Sequence, residues 1–275
     1  MEVLRAANSR EIQSDNDTLK LMTYYNKDLS DKMKQEPKYI AFDKWCEENG
    51  VEHPGVDFPA VFGTRGELMG MAAKTDLPPC TSFLMVPFNL NINKHTIKMR
   101  APDLWQEVFV PNPEVYKKHY DFEYLRIITY VFYEMLKGDK SFWHPYFEVI
   151  SWSDVPMLWT QDELSEFQDG VLKGVVTKYR IDFDEEWILV YKTLQPFEKF
   201  FPGISDESKK DFFYELFTRA FVSVVTRCFG WGLPCTTMVP FADFINHSNV
   251  DSSYEMISKN VNPRHKETTP VEVIS

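Results

Sequence analysis

The length, composition and charge of the sequence exclude several classes of protein. The 275 residues are 44% hydrophobic and 15% aromatic, enough apolar material for one or two domains with a core. The 30 basic and 41 acidic residues give a net charge of −11, which argues against a nucleic-acid binder acting through bulk electrostatics. No stretch of about 20 apolar residues occurs, so we expect no membrane span.

The amino end and the cysteines predict an intracellular protein. The opening segment "MEVLRAANSREIQSDND" has no apolar signal core and carries acids that a transit peptide avoids. The cysteines form no C-x-x-C pair and have no histidine at zinc spacing, so reduced thiols and no metal site are expected. They are Cys46, Cys80, Cys228 and Cys235. The expected compartment is the cytoplasm or the nucleus.

The first 99 residues predict a polar arm followed by small strands. Residues 1–37 are polar, with helical potential in "DTLKLMTYYNKDLSDKM", and we expect them to form a peripheral arm. In "FDKWCEENG" the spacing predicts a short helix with Phe42 and Trp45 on one face and a stop at Gly50. Within residues 38–99, short apolar runs split by Gly and Pro predict small strands: "FPAVFG", "LMGMAAK" and "SFLMVPF".

From about residue 100 the hydrophobic period becomes helical. The segment "FEYLRIITYVFYEMLKG" ends at Gly138 and has apolar residues at helical spacing, namely Leu125, Ile128, Phe132, Met135 and Leu136. Further helices are predicted in "SFWHPYFEVIS", "TQDELSEF" and "DGVLKGVVTKYRIDFDEEWILVYKTLQPF". A long helix follows in "SDESKKDFFYELFTRAFVSVVTRCFGW", capped at Ser205 or a neighbour.

Strands and turns return after Gly232, which defines the predicted architecture. The order of small strands, a long helical block and strands again predicts an α+β fold. It is a β-rich domain of small sheets, with segments at 38–99 and 226–275, split by a helical insertion over 100–225.

The motif "MVPFADFINHS", at positions 238–248, places polar side chains among apolar ones. On one helical turn, Asp243, Asn246 and His247 would share a face, and burying them is costly unless each finds a partner. As a hydrolase site the motif lacks a nucleophile elbow, and as a metal site it lacks a second histidine. Taken alone, a satisfied structural turn is the simpler interpretation.

Two further features gain meaning only together with that motif. Gly63, Gly66 and Gly70 are flanked by apolar strands, so they do not form a phosphate loop but permit close approach of the backbone to a ligand or a strand. Arg227 follows an apolar helical turn and needs a carboxylate partner. Asp243 and the carboxylate of a small molecule both remain possible partners.

The order of these features resembles that of the SET-domain protein methyltransferases. The resemblance covers about residues 38–257 and rests on the glycine hairpin closing on "MVP", the insert with "FWHPYFEVIS", and "TRCF" followed by "VPFADFINHS". Within these enzymes the chain is similar to the Rubisco large-subunit methyltransferase-like branch, whose domain is split by a helical insert. The resemblance implies S-adenosylmethionine as cofactor and a protein lysine as methyl acceptor.

The resemblance also implies site residues by position. The backbone of Glu67, Leu68 and Met69 would line the cofactor. Arg227 would meet the carboxylate of the cofactor, and Asn246 and His247 would hold its amino-acid and adenine parts. Thr226 and Asp243 would lie on the side of the substrate lysine. Burying such polar residues costs free energy in the ligand-free protein, because their partner binds from solution.

The implied function is S-adenosylmethionine-dependent N-methylation of lysine in a non-histone protein. The family completes its site with a later tyrosine, whereas Tyr254 comes too early, so no catalytic residue is assigned and the carboxyl-terminal part is expected to be incomplete.

Two alternatives stay open. One is a catalytically incomplete module that binds a protein through the insert, in which Trp143, Trp152 and Trp159 are expected in the core. The other is methylation of protein histidine.

Overall fold

The hydrophobic pattern predicts the order of the elements: short strands near the amino end, a long block of helices, and short strands again. The computed structural model describes residues 24–66, 68–78, 81–116, 122–150, 155–230, 233–247, 254–257 and 272–274. The α+β class predicted from the sequence is confirmed. The chain folds as two units, one of Met1–Asn91 with Val239–Ser275 and a second of Ile92–Met238. The second unit contains the whole of the predicted insert.

The α-helices, in chain order, are α1 (Lys27–Lys34), α2 (Pro37–Glu48), α3 (Lys94–Arg100), α4 (Pro102–Leu104), α5 (Pro113–Tyr116), α6 (Phe122–Leu136), α7 (His144–Val149), α8 (Gln161–Ser165), α9 (Gly170–Leu194) and α10 (Lys210–Arg227). The strands are β1 (Val56–Phe62), β2 (Leu68–Ala73), β3 (Met85–Val86), β4 (Cys228–Phe229), β5 (Thr237–Met238), β6 (Glu255–Ile257) and β7 (Glu272–Ile274). A π-helical turn spans Trp105–Phe109, and 3-10 turns include Glu207–Lys209 and Ala242–Phe244.

The sheets of the first unit are small. Strands β1 and β2 form an antiparallel hairpin in which Val61 pairs with Met69 and Phe62 with Leu68. The register shifts between Asp57 and Ala60, where β1 has one residue more than β2. Strands β3, β7 and β6 form a second antiparallel sheet in that order. Strand β2 pairs only with β1 among the described strands, so no described strand covers its other edge.

An aromatic cluster forms the core beneath the hairpin. Helix α2 buries Phe42 and Trp45 on one face and Gly50 follows it at φ +79°, as the sequence predicts. Phe42 stacks on Phe241 at a ring-centroid distance of 6.0 Å. Phe58 lies 5.3 Å from Phe241 and 4.6 Å from Phe244. The segment that carries the polar motif is therefore anchored by its phenylalanines.

The second unit is built on the packing of α6 against α10. Phe132 of α6 stacks on Phe201 with centroids 5.5 Å apart and meets Phe217 of α10 edge-on at 5.8 Å. The predicted start of the long helix is a 3-10 turn capped by Asp206, the neighbour of Ser205. Strands β4 and β5 pair directly after α10.

The tryptophans of the insert differ in exposure. Trp143 is fully buried and its indole N–H donates to the hydroxyl of Tyr130 at 3.0 Å, so its predicted core position is confirmed. Trp159 is half-buried, and Trp152 lies outside the described residues. In the described part of the chain, none of the helices has the length and apolar content needed to cross a bilayer.

Residues 24–34 correct one expectation about the amino end. Their polar composition predicts a peripheral arm, but the backbone N–H of Asn26 donates to the carbonyl of Val61 at 2.8 Å, and Tyr25 forms a β-bridge with Phe62. These residues therefore line the outer edge of β1. Residues 1–23 of the expected arm lie outside the described residues.

Candidate functional site

The candidate site is built where Asn246 meets strand β2. The backbone N–H of Met71 donates to the side-chain oxygen of Asn246 at 2.9 Å. Gly70 permits this approach, because a Cβ at that position would lie 1.9 Å from the same oxygen. Only glycine fits at position 70 while Asn246 keeps this placement.

Successive residues of β2 direct their main-chain N–H and C=O groups to opposite edges of the strand, and this decides which groups lie beside Asn246. Backbone N–H groups along a β-strand point to its two edges in turn, and β2 runs without a bulge from Leu68 to Ala73. The N–H and C=O of Met69 therefore lie on the same edge as the N–H of Met71. That edge is the one that Asn246 approaches, so the motif stands beside the main chain predicted to line a ligand.

The polar motif is not a single helical turn. A 3-10 turn spans Ala242–Phe244, and Ile245 is extended at φ −65° and ψ 126°. Asp243 and Asn246 therefore do not lie on one helical turn, the arrangement in which their side chains would share a face. The 3-10 turn ends at Phe244, and the extended backbone at Ile245 carries Asn246 to β2. A continued helix would advance too little per residue to do so.

The entry to this turn is strained. Phe241 has φ +78°, a rare conformation for a bulky side chain that costs on the order of 1–3 kcal/mol. Its ring is 1% exposed and lies 4.5 Å from the ring of His53, centroid to centroid. Burial of the ring holds the backbone in this conformation, which turns the chain so that Asn246 reaches the hairpin.

Asp243 and His247 are placed differently from Asn246. Asp243 is half-buried, and its backbone N–H donates to the carbonyl of Val239 at 3.1 Å. Burial raises the pKa of the Cys46 thiol, and the negative charges of Asp43 and Asp243 raise it further. His247 is exposed. The structure thus offers one carboxylate near the core and one imidazole at the surface, both within the first unit.

The remaining predicted site residues are distributed as follows. Leu68 is 43% exposed and Met69 is half-buried, both on β2, whereas Glu67 lies outside the described residues. Thr226 and Arg227 end α10 in the second unit, where the Thr226 hydroxyl donates to the carbonyl of Val222 at 2.7 Å and Arg227 is half-buried. Their assignment to the cofactor and the substrate side stays a prediction, as does that of Asp243 and His247.

Sequence reasoning missed Met71 as a partner of the motif. Its participation is through the backbone, which carries no side-chain signal in a sequence. Gly70 did give a signal, because a glycine between apolar strand residues predicts close approach of another group. The group itself, a side chain far along the chain, was not predictable from the glycine. Within the described residues, no three His, Cys or acidic side chains group as metal ligands.

Comparisons with known proteins bear on the fold of the chain and on its family resemblance. No model of a protein family matches the chain. It is 28% identical over 229 residues to "Ribulose-1,5 bisphosphate carboxylase/oxygenase large subunit N-methyltransferase, chloroplastic" of Pisum sativum, which covers 80% of this chain and 42% of that protein. The crystal structure of the SET domain of LSMT bound to lysine and AdoHcy matches with a TM-score of 0.61 and 25% identity, over 78% of this chain and 46% of that chain.

A second crystal structure, of the SET domain of LSMT bound to MeLysine and AdoHcy, matches with a TM-score of 0.65 and 24% identity, over 80% of this chain and 48% of that chain. This chain thus spans less than half of each of these relatives. The SET fold and the resemblance to the Rubisco large-subunit methyltransferase-like branch are confirmed.

Proposed function

We propose that this chain, which has the SET fold of the Rubisco large-subunit methyltransferase-like branch, is an S-adenosylmethionine-dependent protein-lysine N-methyltransferase. The observation that carries the proposal is the contact of Asn246 with Gly70 and Met71. It joins the most specific motif of the sequence to the strand that is expected to line the cofactor. The solved structures that match the chain include the SET domain of LSMT bound to lysine and AdoHcy, which supports S-adenosylmethionine as the cofactor here.

The donor set at this junction fits a zwitterionic nucleoside. The amide oxygen of Asn246 accepts from Met71 and keeps a second lone pair, while its nitrogen carries two donor hydrogens. The carbonyl of Met69 on the same edge is an acceptor that suits an ammonium group. The exposed side chain of Leu68, on the same face of β2 as Gly70, offers apolar surface to a base.

The residues of the chain supply binding and orientation. When bound, S-adenosylmethionine supplies a methyl group activated by its sulfonium sulfur. We assign Asn246 and the β2 edge to hold the cofactor in place, Arg227 to pair with its carboxylate, and Thr226 and Asp243 to the acceptor side. A lysine acceptor must be neutral to attack, so this part of the site has to exclude water and lower the pKa of the lysine.

Calorimetric titration of the purified chain with S-adenosylmethionine tests the binding half of the proposal. We expect saturable binding that Asn246→Ala and Arg227→Met each weaken at least about tenfold, since each removes a polar contact to the ligand. Lys178→Ala removes an exposed ion pair on α9 and serves as the control that keeps wild-type affinity. Absence of saturable heat with the folded wild-type chain would refute the cofactor assignment.

Incubation of the chain with methyl-labelled S-adenosylmethionine and a protein fraction tests the catalytic half of the proposal. Amino-acid analysis of the labelled proteins separates the outcomes, because methyl-lysine and methyl-histidine elute apart. Label in lysine of non-histone proteins supports the proposal. Label confined to histidine contradicts the acceptor. Cofactor binding without any transfer contradicts catalysis and favours the binding-module alternative.

A further inference from the structure

A second hydrogen-bond network binds the hairpin along the outer edge of β1, opposite to the β2 edge that Asn246 contacts. The segment Tyr24–Asn26 runs along the outer edge of β1, where the N–H of Asn26 donates to Val61 at 2.8 Å and the N–H of Gly63 donates to Tyr24 at 2.7 Å. These bonds satisfy main-chain groups that an edge strand otherwise exposes. They also bring the start of α1 against the glycine turn of the hairpin.

The first turn of α1 adds two polar side chains to this edge. Ser30 is fully buried, and its hydroxyl donates to the carbonyl of Asn26 at 2.8 Å while it accepts from the N–H of Val61 at 2.9 Å. The amide nitrogen of Asn26 donates to the carbonyls of Gly63 at 3.2 Å and Thr64 at 3.5 Å. Its amide oxygen accepts from Leu29 at 3.1 Å and so caps α1.

The turn that receives these bonds is built on two glycines. Gly63 and Gly66 have φ +88° and +83°, the left-handed region that favours glycine. A Cβ on Gly66 would meet side-chain carbons of Val61 at 3.4 Å and Leu29 at 3.5 Å. The carbonyl of Gly63 accepts from both Asn26 and the N–H of Gly66. Asn26 therefore holds two carbonyls of the turn that precedes β2.

We infer that Asn26 is a positioning residue for cofactor binding, acting through the glycine turn. This inference rests on the proposed function, because residues 67–69 are the backbone assigned to S-adenosylmethionine. A turn held in place before binding loses less conformational entropy when the ligand arrives, which raises affinity. Asn26 itself donates to the turn, so it acts through the main chain it holds and is not assigned a contact with the reacting atoms.

The test separates the capping role of Asn26 from its contact with the turn. Asn26→Ser keeps a side-chain oxygen for the N–H of Leu29 but cannot reach Gly63, whereas Asn26→Ala loses both. Asp169→Ala removes the cap of α9 and provides a matched loss of a cap elsewhere. Thermal unfolding, titration with S-adenosylmethionine and amide hydrogen exchange are measured on all four proteins, wild type included.

We expect Asn26→Ser to shift Tm by about 2 °C or less and to weaken cofactor binding roughly fivefold or more. Without cofactor, its amides at Gly66 and 68–70 should exchange faster than in the wild type. Asp169→Ala should lower Tm and leave affinity unchanged. Unchanged exchange or unchanged affinity in Asn26→Ser overturns the inference. If the wild type binds no cofactor, the proposed function fails, and the exchange data still show whether Asn26 orders the turn.

Discussion

The side-chain oxygen of Asn246 lies 2.9 Å from the backbone nitrogen of Met71, a residue 175 positions earlier in the chain. The bond connects the two segments that make up the first unit, Met1–Asn91 and Val239–Ser275. It can form only after the carboxyl-terminal segment has folded onto the hairpin, since no local contact brings these residues together. The candidate site is therefore a product of tertiary structure.

Replacing Gly70 by alanine tests this junction directly. The new Cβ would lie 1.9 Å from the Asn246 oxygen and 2.4 Å from the amide carbon, so Asn246 must move and its bond to Met71 is lost. We expect Gly70→Ala to lower the free energy of unfolding by about 1–3 kcal/mol, as overpacking does. Cofactor affinity should fall at least about tenfold, the equivalent of roughly 1.4 kcal/mol. Urea unfolding and calorimetric titration measure both effects.

Gly174 supplies the matched control for that substitution. It lies inside α9, and a Cβ there would meet no atom within 4 Å. Gly174→Ala should raise the free energy of unfolding by about 0.5–1 kcal/mol through helix propensity, without any effect on cofactor affinity. A Gly70→Ala protein with wild-type stability and affinity would mean that Asn246 does not occupy this position in solution.

Paired substitutions of Asn246 isolate its bond to Met71. Asn246→Asp keeps an oxygen that accepts from the Met71 N–H, whereas Asn246→Ala leaves that N–H to solvent. We expect the alanine variant to lose about 0.5–1.5 kcal/mol of unfolding free energy at pH 7 and the aspartate variant to lose less. Urea unfolding of both variants checks this order. An equal loss in the two proteins would assign the effect to the amide group and not to the bond with Met71.

The fold was predictable from the sequence, but the local structure of the segment "VPFADFINHS" was not. Apolar periodicity and glycines predict α2, the hairpin and α6, because short-range patterns determine these elements. The structure of "VPFADFINHS" was not predictable in this way. Spacing alone suggests a helical turn, but the buried ring of Phe241 imposes φ +78° and Asn246 pairs with a distant strand. Tertiary contacts override local preference there.

The role of the amino-terminal segment escaped sequence reasoning for a similar reason. Asn26 and Ser30 are polar residues in a polar stretch, which predicts a solvated arm. Their hydrogen bonds go to backbone groups of Val61, Gly63 and Thr64, and no side-chain pattern marks those acceptors and donors. Edge strands require partners, yet a sequence does not say which segment supplies them.

The buried thiol of Cys46 should resist chemical modification in the folded protein. Burial raises its pKa, and the charges of Asp43 and Asp243 act in the same direction, so the thiol stays neutral and poorly nucleophilic at pH 8. We expect iodoacetamide to leave Cys46 unlabelled in native conditions and to label it fully in urea. Peptide mass spectrometry measures the extent at each cysteine. Rapid native labelling would contradict the burial of Cys46 on the inner face of α2.

The carboxylate of Glu123 gives a pH-dependent prediction for the second unit. It accepts from the ammonium of Lys94 and from the N–H of Thr236, each at 2.7 Å, and so links α3, α6 and the segment before β5. Burial acts to raise the pKa of Glu123, but the hydrogen bonds from Lys94 and Thr236 outweigh it and lower the pKa below its ordinary value. The charged carboxylate is thus favoured in the folded state.

The sign of the pH dependence follows from that lowered pKa. The contribution of Glu123 is fully present above the ordinary pKa of about 4.3 and is lost as the pH falls through the lower folded value. Glu123→Gln should therefore cost roughly 1–2 kcal/mol of unfolding free energy at pH 7, and the difference from the wild type should shrink below about pH 4. Glu107→Gln breaks an exposed, solvent-screened ion pair with Lys199 and should cost less than Glu123→Gln at pH 7. Urea unfolding across this pH range measures both variants, and a pH-independent cost at Glu123 would show that its charge does not stabilise the link.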